Sequence, residues 1–344
     1  MGRMAYQRKE LKIGPSLSLL LRYALKAAAL ILVIISLNFV LIHLMPGDPI
    51  MHILGEEQYY ALTNQFPERL EEVKRNYSLD GSLLSQYLRF MYNVITFRFG
   101  QSYIDGTSVT DNVFFRLRWT LTLSLCAIVI SALVGGALGV VAGYKKGGKT
   151  DSVLTAFFLL LETIPANCLA LIMLVIFSFK LRWFPVGGMT SAGVSGWAKT
   201  LSILQHMILP VAVLSLYRTA ANFLLMKSYV SQIRDEDYMT VAVSKGLKKS
   251  RVLFVHLMKN AMVPYVTTLC MQMGHIISGS MLIEVVFSWK GMGTLIYDAV
   301  MSKDYPTIQM CFLLIAGCVV LFNFVADVLC MQMDPRIRDG MAYE

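Results

Sequence analysis

The chain has 344 residues, 56% of them hydrophobic and 15% charged, with a mean hydropathy of +0.58 and a formal net charge of +9. A soluble domain carries about 25% charged residues and has no need of so much apolar surface, so a soluble globular protein is excluded. The positive charge does not call for nucleic acid, because the basic residues collect in loops between apolar runs, where membrane topology accounts for them.

Residues 1–22 carry Arg3, Arg8, Lys9, Lys12 and Arg22 and read as a cytoplasmic N-terminal segment. The apolar run Ala27–Met45 comes close to the ~20 residues that span hydrocarbon, which places a first transmembrane helix over 23–45. It is too long for a signal peptide and lacks a small-residue cleavage site, so it reads as an uncleaved anchor. Residues 46–117 form a long loop, placed outside the membrane by the helix count. The seven Lys and Arg between the first and second apolar runs weigh little at that length. Its aromatic and acidic residues (Tyr59, Tyr60, Phe66, Glu68, Glu71, Glu72 and Tyr87 to Tyr92) fit either a docking surface or packing on its own scaffold.

Five further apolar runs follow within 118–332: Leu121–Ala142, Val153–Phe179, Ile203–Met226, Val266–Phe287 and Ile308–Met331. The expected fold is therefore all-α and polytopic, with six transmembrane helices. Lys145, Lys146 and Lys149 follow the second run, and seven basic residues separate the fourth from the fifth. The other short loops are sparser, with Lys180, Arg182 and Lys199, then Lys290 and Lys303. The excess of Lys and Arg on one side puts both termini in the cytoplasm, including a tail over 333–344.

Within the spans, Gly135, Gly139 and Gly143 repeat every four residues beside Gly136, a pattern that lets a second helix approach closely. Pro165 and Pro210 are expected to interrupt the third and fourth spans. Ionisable and polar residues at depth are candidates for the translocation path: Glu162, Arg218, Asn222, His275 and Glu284. Glu162 and Arg218 either pair with each other or both line the path.

Residues 143–150 (GYKKGGKT) match the phosphate-cradling pattern GxxxxGK[ST], yet that loop needs a buried strand and a soluble α/β domain. Apolar runs on both sides leave no chain for such a sheet. The segment reads as a tight basic turn, with Thr150 or Asp151 capping the next helix. Cys126, Cys168, Cys270, Cys311, Cys318 and Cys330 all fall in apolar runs with no metal-ligand spacing and read as small apolar side chains. Cys270, Met271, Met273 and His275 cluster, but in a chain with 21 Met residues the cluster is not distinctive. No metal and no cofactor is expected in this chain.

The polar, basic stretch over 229–261 stands out between two apolar runs. Asp235, Glu236 and Asp237 suit a helix start, Tyr238, Val241 and Ala242 share helical spacing, and Gly246 suits the helix end with Lys245, Lys248 and Lys249 around it. A second apolar helical stretch runs from Val252 to Leu257 before Pro264. The pattern predicts two short helices at a membrane surface, built for a soluble partner.

The chain resembles the inner-membrane permease subunit of peptide/nickel-type ABC importers, the kind with a large external loop after its first helix. The resemblance rests on Met45-Pro46-Gly47-Asp48-Pro49, Phe99-Gly100-Gln101-Ser102, Arg182-Trp183-Phe184-Pro185, the run from Gly279 to Trp289 with Gly291-Met292-Gly293, Asp304-Tyr305-Pro306 and Asp334-Pro335-Arg336. It implies a type I importer fold in a bacterial cytoplasmic membrane, surrounded by lipid, with a homologous second permease, two ATP-binding subunits and an extracytoplasmic substrate-binding protein as partners. ATP and Mg would reside on the ATPase subunits. The family's coupling segment maps onto Asp237, Tyr238, Thr240, Val241, Ala242, Lys245, Gly246, His256, Asn260 and Pro264. Its first position, commonly acidic, is Thr240 here, and Glu162 replaces a small or polar residue. The rival is an ion-coupled secondary transporter or channel, but the two halves show no repeat and the basic segment has no task in it. A membrane-embedded enzyme has no supporting motif. The substrate stays open between peptides and a nickel chelate, leaning to peptides.

Overall fold

The computed structural model of the chain describes residues 17–44, 48–76 and 79–333. The basic residues from Arg3 to Lys12, Met45-Pro46-Gly47, Asp334-Pro335-Arg336 and the tail after 333 lie outside the described residues, as does the side chain of Cys330. Helices dominate, and among the described residues the only β feature is an isolated bridge between Gln101 and Ser108.

Helix α1 (Leu17–His43) is followed by four short helices, α2 (Pro49–Leu54), α3 (Glu56–Gln65), α4 (Pro67–Asn76) and α5 (Leu83–Ile95). The long loop is thus mostly helical. Asp48 caps α2 by accepting the Ile50 amide at 2.9 Å, and Ser82 caps α5 through Ser85. Helix α6 (Val109–Tyr144) begins well before 118, capped by Ser108. After a tight turn come α7 (Lys149–Thr163) and α8 (Ala166–Met173), the latter continuing as π-helix to Lys180. Then follow α9 (Gly196–Arg234), α10 (Asp237–Ser244), a continuous helix made of α11 (Lys249–Arg251), a π-helical turn and α12 (Lys259–Gly274), and finally α13 (Ile276–Val286), α14 (Met292–Met301) and α15 (Tyr305–Met333).

Among the described residues, four helices are long and apolar enough to cross a bilayer: Val109–Tyr144, Gly196–Arg234, Lys249–Gly274 and Tyr305–Leu329. Helices α7 and α8 qualify as a fifth, bent by 95° at the break. A count of six rests on α1, whose apolar stretch Ala28–Leu41 is shorter than the others.

Several local expectations are corrected. Pro165 does break its span, serving as the N-cap of α8, whereas Pro210 lies inside an uninterrupted α9. One lost amide costs a helix little when packing along its whole length holds it, and Pro210 is buried against neighbours. The fifth apolar run, read as continuous, breaks at His275 between α12 and α13. The second short surface helix is not separate: it is the start of the helix that runs to Gly274, and Pro264 lies inside it. Helix α7 is capped by Gly148 rather than by Thr150 or Asp151. The Asp151 carboxylate reaches back one turn to accept the Gly147 amide at 3.0 Å. Cys126 and Cys168 are exposed rather than buried, while Cys270 and Cys311 are buried.

The α6–α9 pair forms the spine. A Cβ on Gly135, Gly139 or Gly143 would stand 2.9 Å from Asn222 Cβ, 2.7 Å from Phe223 O and 2.8 Å from Val230 Cβ respectively. The rising numbers on both helices mean that they run parallel, backbone against backbone, and the four-residue glycine spacing does what it predicts. Gly136 faces Tyr265 of α12, whose hydroxyl donates to Ala132 O at 2.8 Å. Helix α1 attaches to the outside of this spine through α15 and α5. Asn38 donates to Gln309 O at 3.0 Å, and the Ser36 and Tyr87 hydroxyls lie 2.7 Å apart.

Candidate functional site

One end of the spine is built from α10 and the start of the helix after it. Helix α10 ends because Gly246 adopts φ +70°, a left-handed conformation that favours glycine. Its inner face, Met239 and Ala242, is buried, Met239 in a cluster with Met226, Val230, Val252, Leu257 and Tyr265. Its outer face exposes Tyr238, Thr240, Val241 and Val243, and the neighbouring π-helical turn exposes Phe254 and Val255. Asn260 Nδ2 donates to Tyr238 Oη and to His256 O, both at 2.9 Å, tying α10 to α12. Tyr238, His256 and Asn260 therefore meet, Ala242 turns inward, and Asp237 and Lys245 flank α10 at its start and end. Val243 and Phe254 were not singled out from the sequence, and Val255 was read only as one apolar residue of the second helical stretch, since the pattern there does not tell which face a residue occupies.

This end is braced to the α6–α7 turn. Lys146 pairs with Asp235, Arg234 donates to Tyr144 O at 3.0 Å, and Lys227 Nζ lies 2.6 Å from Asp151 Oδ1 and 2.7 Å from Thr155 Oγ1. Lys146 holds the Asp235 carboxyl below the usual carboxylate range. The residues of the false phosphate loop thus serve as a brace.

In the middle of the spans, Phe158 of α7 stacks on Phe223 of α9 with ring centroids 4.4 Å apart. Glu162 is exposed at the last turn of α7, beside the α7–α8 break, and Arg218 of α9 is half-buried. No ion pair joins them among the described residues. Arg218 instead lies over Gly279 of α13, where a Cβ would stand 2.9 Å from Nη2. His275 is exposed at the α12–α13 break.

The other two path candidates occupy packed interior rather than an open wall. Asn222 is fully buried, donating to Ser131 Oγ at 3.1 Å and accepting from Gln272 Nε2 at 2.8 Å, which links α6, α9 and α12. Glu284 is likewise fully buried. Its Oε1 accepts from Thr120 Oγ1 at 2.6 Å and from Ser280 Oγ at 3.0 Å, and its Oε2 accepts the Gly293 amide at 2.7 Å. Thr120 also accepts the Met292 amide at 2.7 Å, so its one proton is directed to Glu284. These groups pin the turn between α13 and α14. Nearby, Asp304 is buried and gathers Ser102, Thr307 and the Tyr103 amide at 2.6, 2.7 and 3.0 Å. It joins the loop before α6 to the start of α15.

The comparisons agree with this architecture. Residues 135–339 match the family described as the binding-protein-dependent transport system inner membrane component, and residues 16–125 match the N-terminal part of such membrane components. The chain is 33% identical over 318 residues to the di/tripeptide transport system permease protein of Pseudomonas aeruginosa, covering 88% of this chain and 93% of that protein. It is 33% identical over 302 residues to a probable peptide ABC transporter permease of Sinorhizobium fredii, covering 87% and 92%. To the dipeptide transport system permease protein of Escherichia coli K12 it is 30% identical over 321 residues, covering 88% and 93%. With residues 135–339, more than half of its length, matched, the chain belongs to the family of inner membrane components of binding-protein-dependent transport systems.

Proposed function

We propose that this chain is the permease subunit of an ATP-driven peptide importer, coupled to separate ATPase subunits through α10 and the first turns of the following helix. The observation that carries the coupling role is the outer face of this end, where Tyr238, Val241, Val243, Phe254 and Val255 stand exposed in an otherwise basic, polar segment. An apolar stripe beside Lys245, Lys248 and Lys249 suits a groove on a soluble protein. Peptide is the substrate class favoured by the printed roles of the relatives, over a nickel chelate. A second, homologous permease completes the path, a binding protein delivers substrate on the side of α2–α5, and counting α1 as a sixth span supports a cytoplasmic α10. The chain itself is a non-catalytic membrane subunit, with ATP handled by its partners.

Purification from native membranes in mild detergent tests the reading. The native chain is expected to bring down ATPase subunits and hydrolytic activity, and Val241→Asp is expected to lose both while the chain stays folded. A chain that purifies alone and carries dipeptide into liposomes without ATP would overturn it.

A further inference from the structure

Outside the α6–α9 spine, α1, α5, α15 and the loop from Arg98 to Tyr103 enclose a cavity of about 260 Å³. Phe39 and His43 line it from the end of α1, and Tyr305 and Gln309 from the first turns of α15. Since α15 is long and apolar enough to cross a bilayer, a cavity at its first turns stands at the boundary of the hydrocarbon. Helix α5 supplies the polar wall. Its spacing gives three faces: Phe90 and Val94 pack inward, Leu84, Leu88, Tyr92 and Ile95 form an exposed apolar stripe, and Gln86, Arg89 and Asn93 turn to the cavity. The apolar stripe suits a helix lying in the membrane interface. At the end of α5, Phe97 takes φ +55° and its amide donates to Val94 O at 3.3 Å, while the Arg98 amide donates to Asn93 O at 2.9 Å. This closing turn folds Arg98 back to the cavity.

The charge in this cavity is one-sided. Asp80 holds Arg89 in place, its carboxylate accepting from Nη1 at 2.7 Å and its carbonyl from Nη2, yet the Arg89 side chain keeps 40% exposure. Arg98 is exposed, and its guanidinium has no ion-pair or hydrogen-bond partner among the described residues. No carboxylate lines the cavity among the described residues. One guanidinium set in advance and one free suit the grip of a phosphate, and a headgroup amine would find no acid to pair with. An apolar groove of about 450 Å³ adjoins the cavity, with Phe99 lining both. On both spans the groove lies deeper: α1 gives it Ile31 and Ile35, a turn or more before Phe39, and α15 gives it Met310 to Leu321, after Gln309. The groove is open at Gly317, where a Cβ would meet nothing within 4 Å. Polar at the boundary and apolar further in is the order of a lipid headgroup and its acyl chain.

We propose that this side of the chain binds an anionic phospholipid, its phosphate taken by Arg98 and Arg89 in the cavity and an acyl chain lying in the groove beside α15. Lipid is favoured over a peptide in transit because no residue of α6, α7 or α9 lines the cavity among the described residues. A bound lipid would also fasten α1, which joins the rest of the chain only through α15 and α5.

The test strips the full chain, purified from its membrane in mild detergent, of lipid and titrates it with dioleoylphosphatidylglycerol or dioleoylphosphatidylcholine, counting retained lipid by native mass spectrometry. The native chain is expected to take phosphatidylglycerol about tenfold more tightly, the worth of one charge-assisted hydrogen bond. Arg98→Gln is expected to abolish that preference. Lys290→Gln, which removes an exposed lysine outside the cavity, should keep it, and Gly317→Leu, which fills the groove, should weaken both lipids several-fold. Equal binding of the two lipids by the native chain, a preference untouched by Arg98→Gln, or full affinity in Gly317→Leu would overturn the proposal. So would displacement of phosphatidylglycerol by an equal concentration of inorganic phosphate, which would assign the cavity to a free anion, or of dialanine, which would assign it to cargo.

Discussion

Both carboxylate oxygens of Glu284 are committed inside the protein, to donors that come from three separate stretches of chain. Replacing this residue by Ala leaves the buried Gly293 amide without its acceptor, removes one partner of the Ser280 hydroxyl, and frees Thr120 to turn away from the Met292 amide. Each orphaned buried donor costs about 1–3 kcal/mol. Glu284→Ala is therefore expected to lower the unfolding temperature of the detergent-solubilised chain clearly, with Glu284→Gln intermediate because it keeps the shape and part of the acceptor capacity. Equal melting of all three proteins would refute the pinning role. Asp304 makes a parallel case at the start of α15. An Asn there would present an amide N–H₂ to groups that are all donors or hydroxyls already committed, so Asp304→Asn is expected to speed hydrogen exchange across 100–108 while leaving α9 unaffected.

At the scale of elements, the α6–α9 contact is the feature most legible in the sequence. Gly139 stands against the carbonyl of Phe223 and the Cβ of Met226, atoms that cannot swing aside. Gly139→Leu should prevent the parallel packing, and Gly139→Ala should already cost about 1–3 kcal/mol through overpacking. Gly317→Ala is the matched control, since its Cβ would meet nothing within 4 Å. Thermal unfolding of the three variants should rank them in that order. The glycine spacing, the Pro165 break and the Gly246 turn were all readable because each is a local backbone requirement written at one position. The continuity of α9 through Pro210 was not, because packing along the helix outweighs one missing amide. The break at His275 was equally hidden. No proline or glycine pair marks it, and it shows only where Gly274 comes up against Val319 of α15, with a Cβ 3.5 Å from its Cα. The Glu284 and Asp304 hubs join residues too far apart in sequence for any spacing rule to connect, so the residues were visible as unusual but their partners were not.

At the scale of the whole molecule, the brace between the α6–α7 turn and the end of α9 decides how far a push on α10 can travel. If α10 moved alone, force applied there would dissipate in its short connections to α9 and to the following helix. Three links oppose that: Lys146 with Asp235, Arg234 with Tyr144 O, and Lys227 with Asp151 and Thr155. They make α9 and the start of α7 move as one body, and α10 joins it by burying Met239 against Met226 and Val230 of α9, so that displacement of α10 reaches the α7–α8 break and Glu162. The links are unequal. Lys146 and Asp235 are 49% and 57% exposed, and solvent screens such surface pairs until they contribute little. Lys227 and Asp151 are 22% and 10% exposed, and Asp151 also holds the Gly147 amide. Lys227→Met is therefore expected to leave recovery of the ATPase subunits and their basal hydrolysis unchanged while lowering peptide transported per ATP several-fold. Lys146→Ala is expected to change neither. Measuring uptake and hydrolysis on the same reconstituted vesicles gives the ratio directly. A Lys227→Met protein with a native ratio would show that α10 transmits its motion through the helix that follows it, from Lys249 onward, and not through the brace.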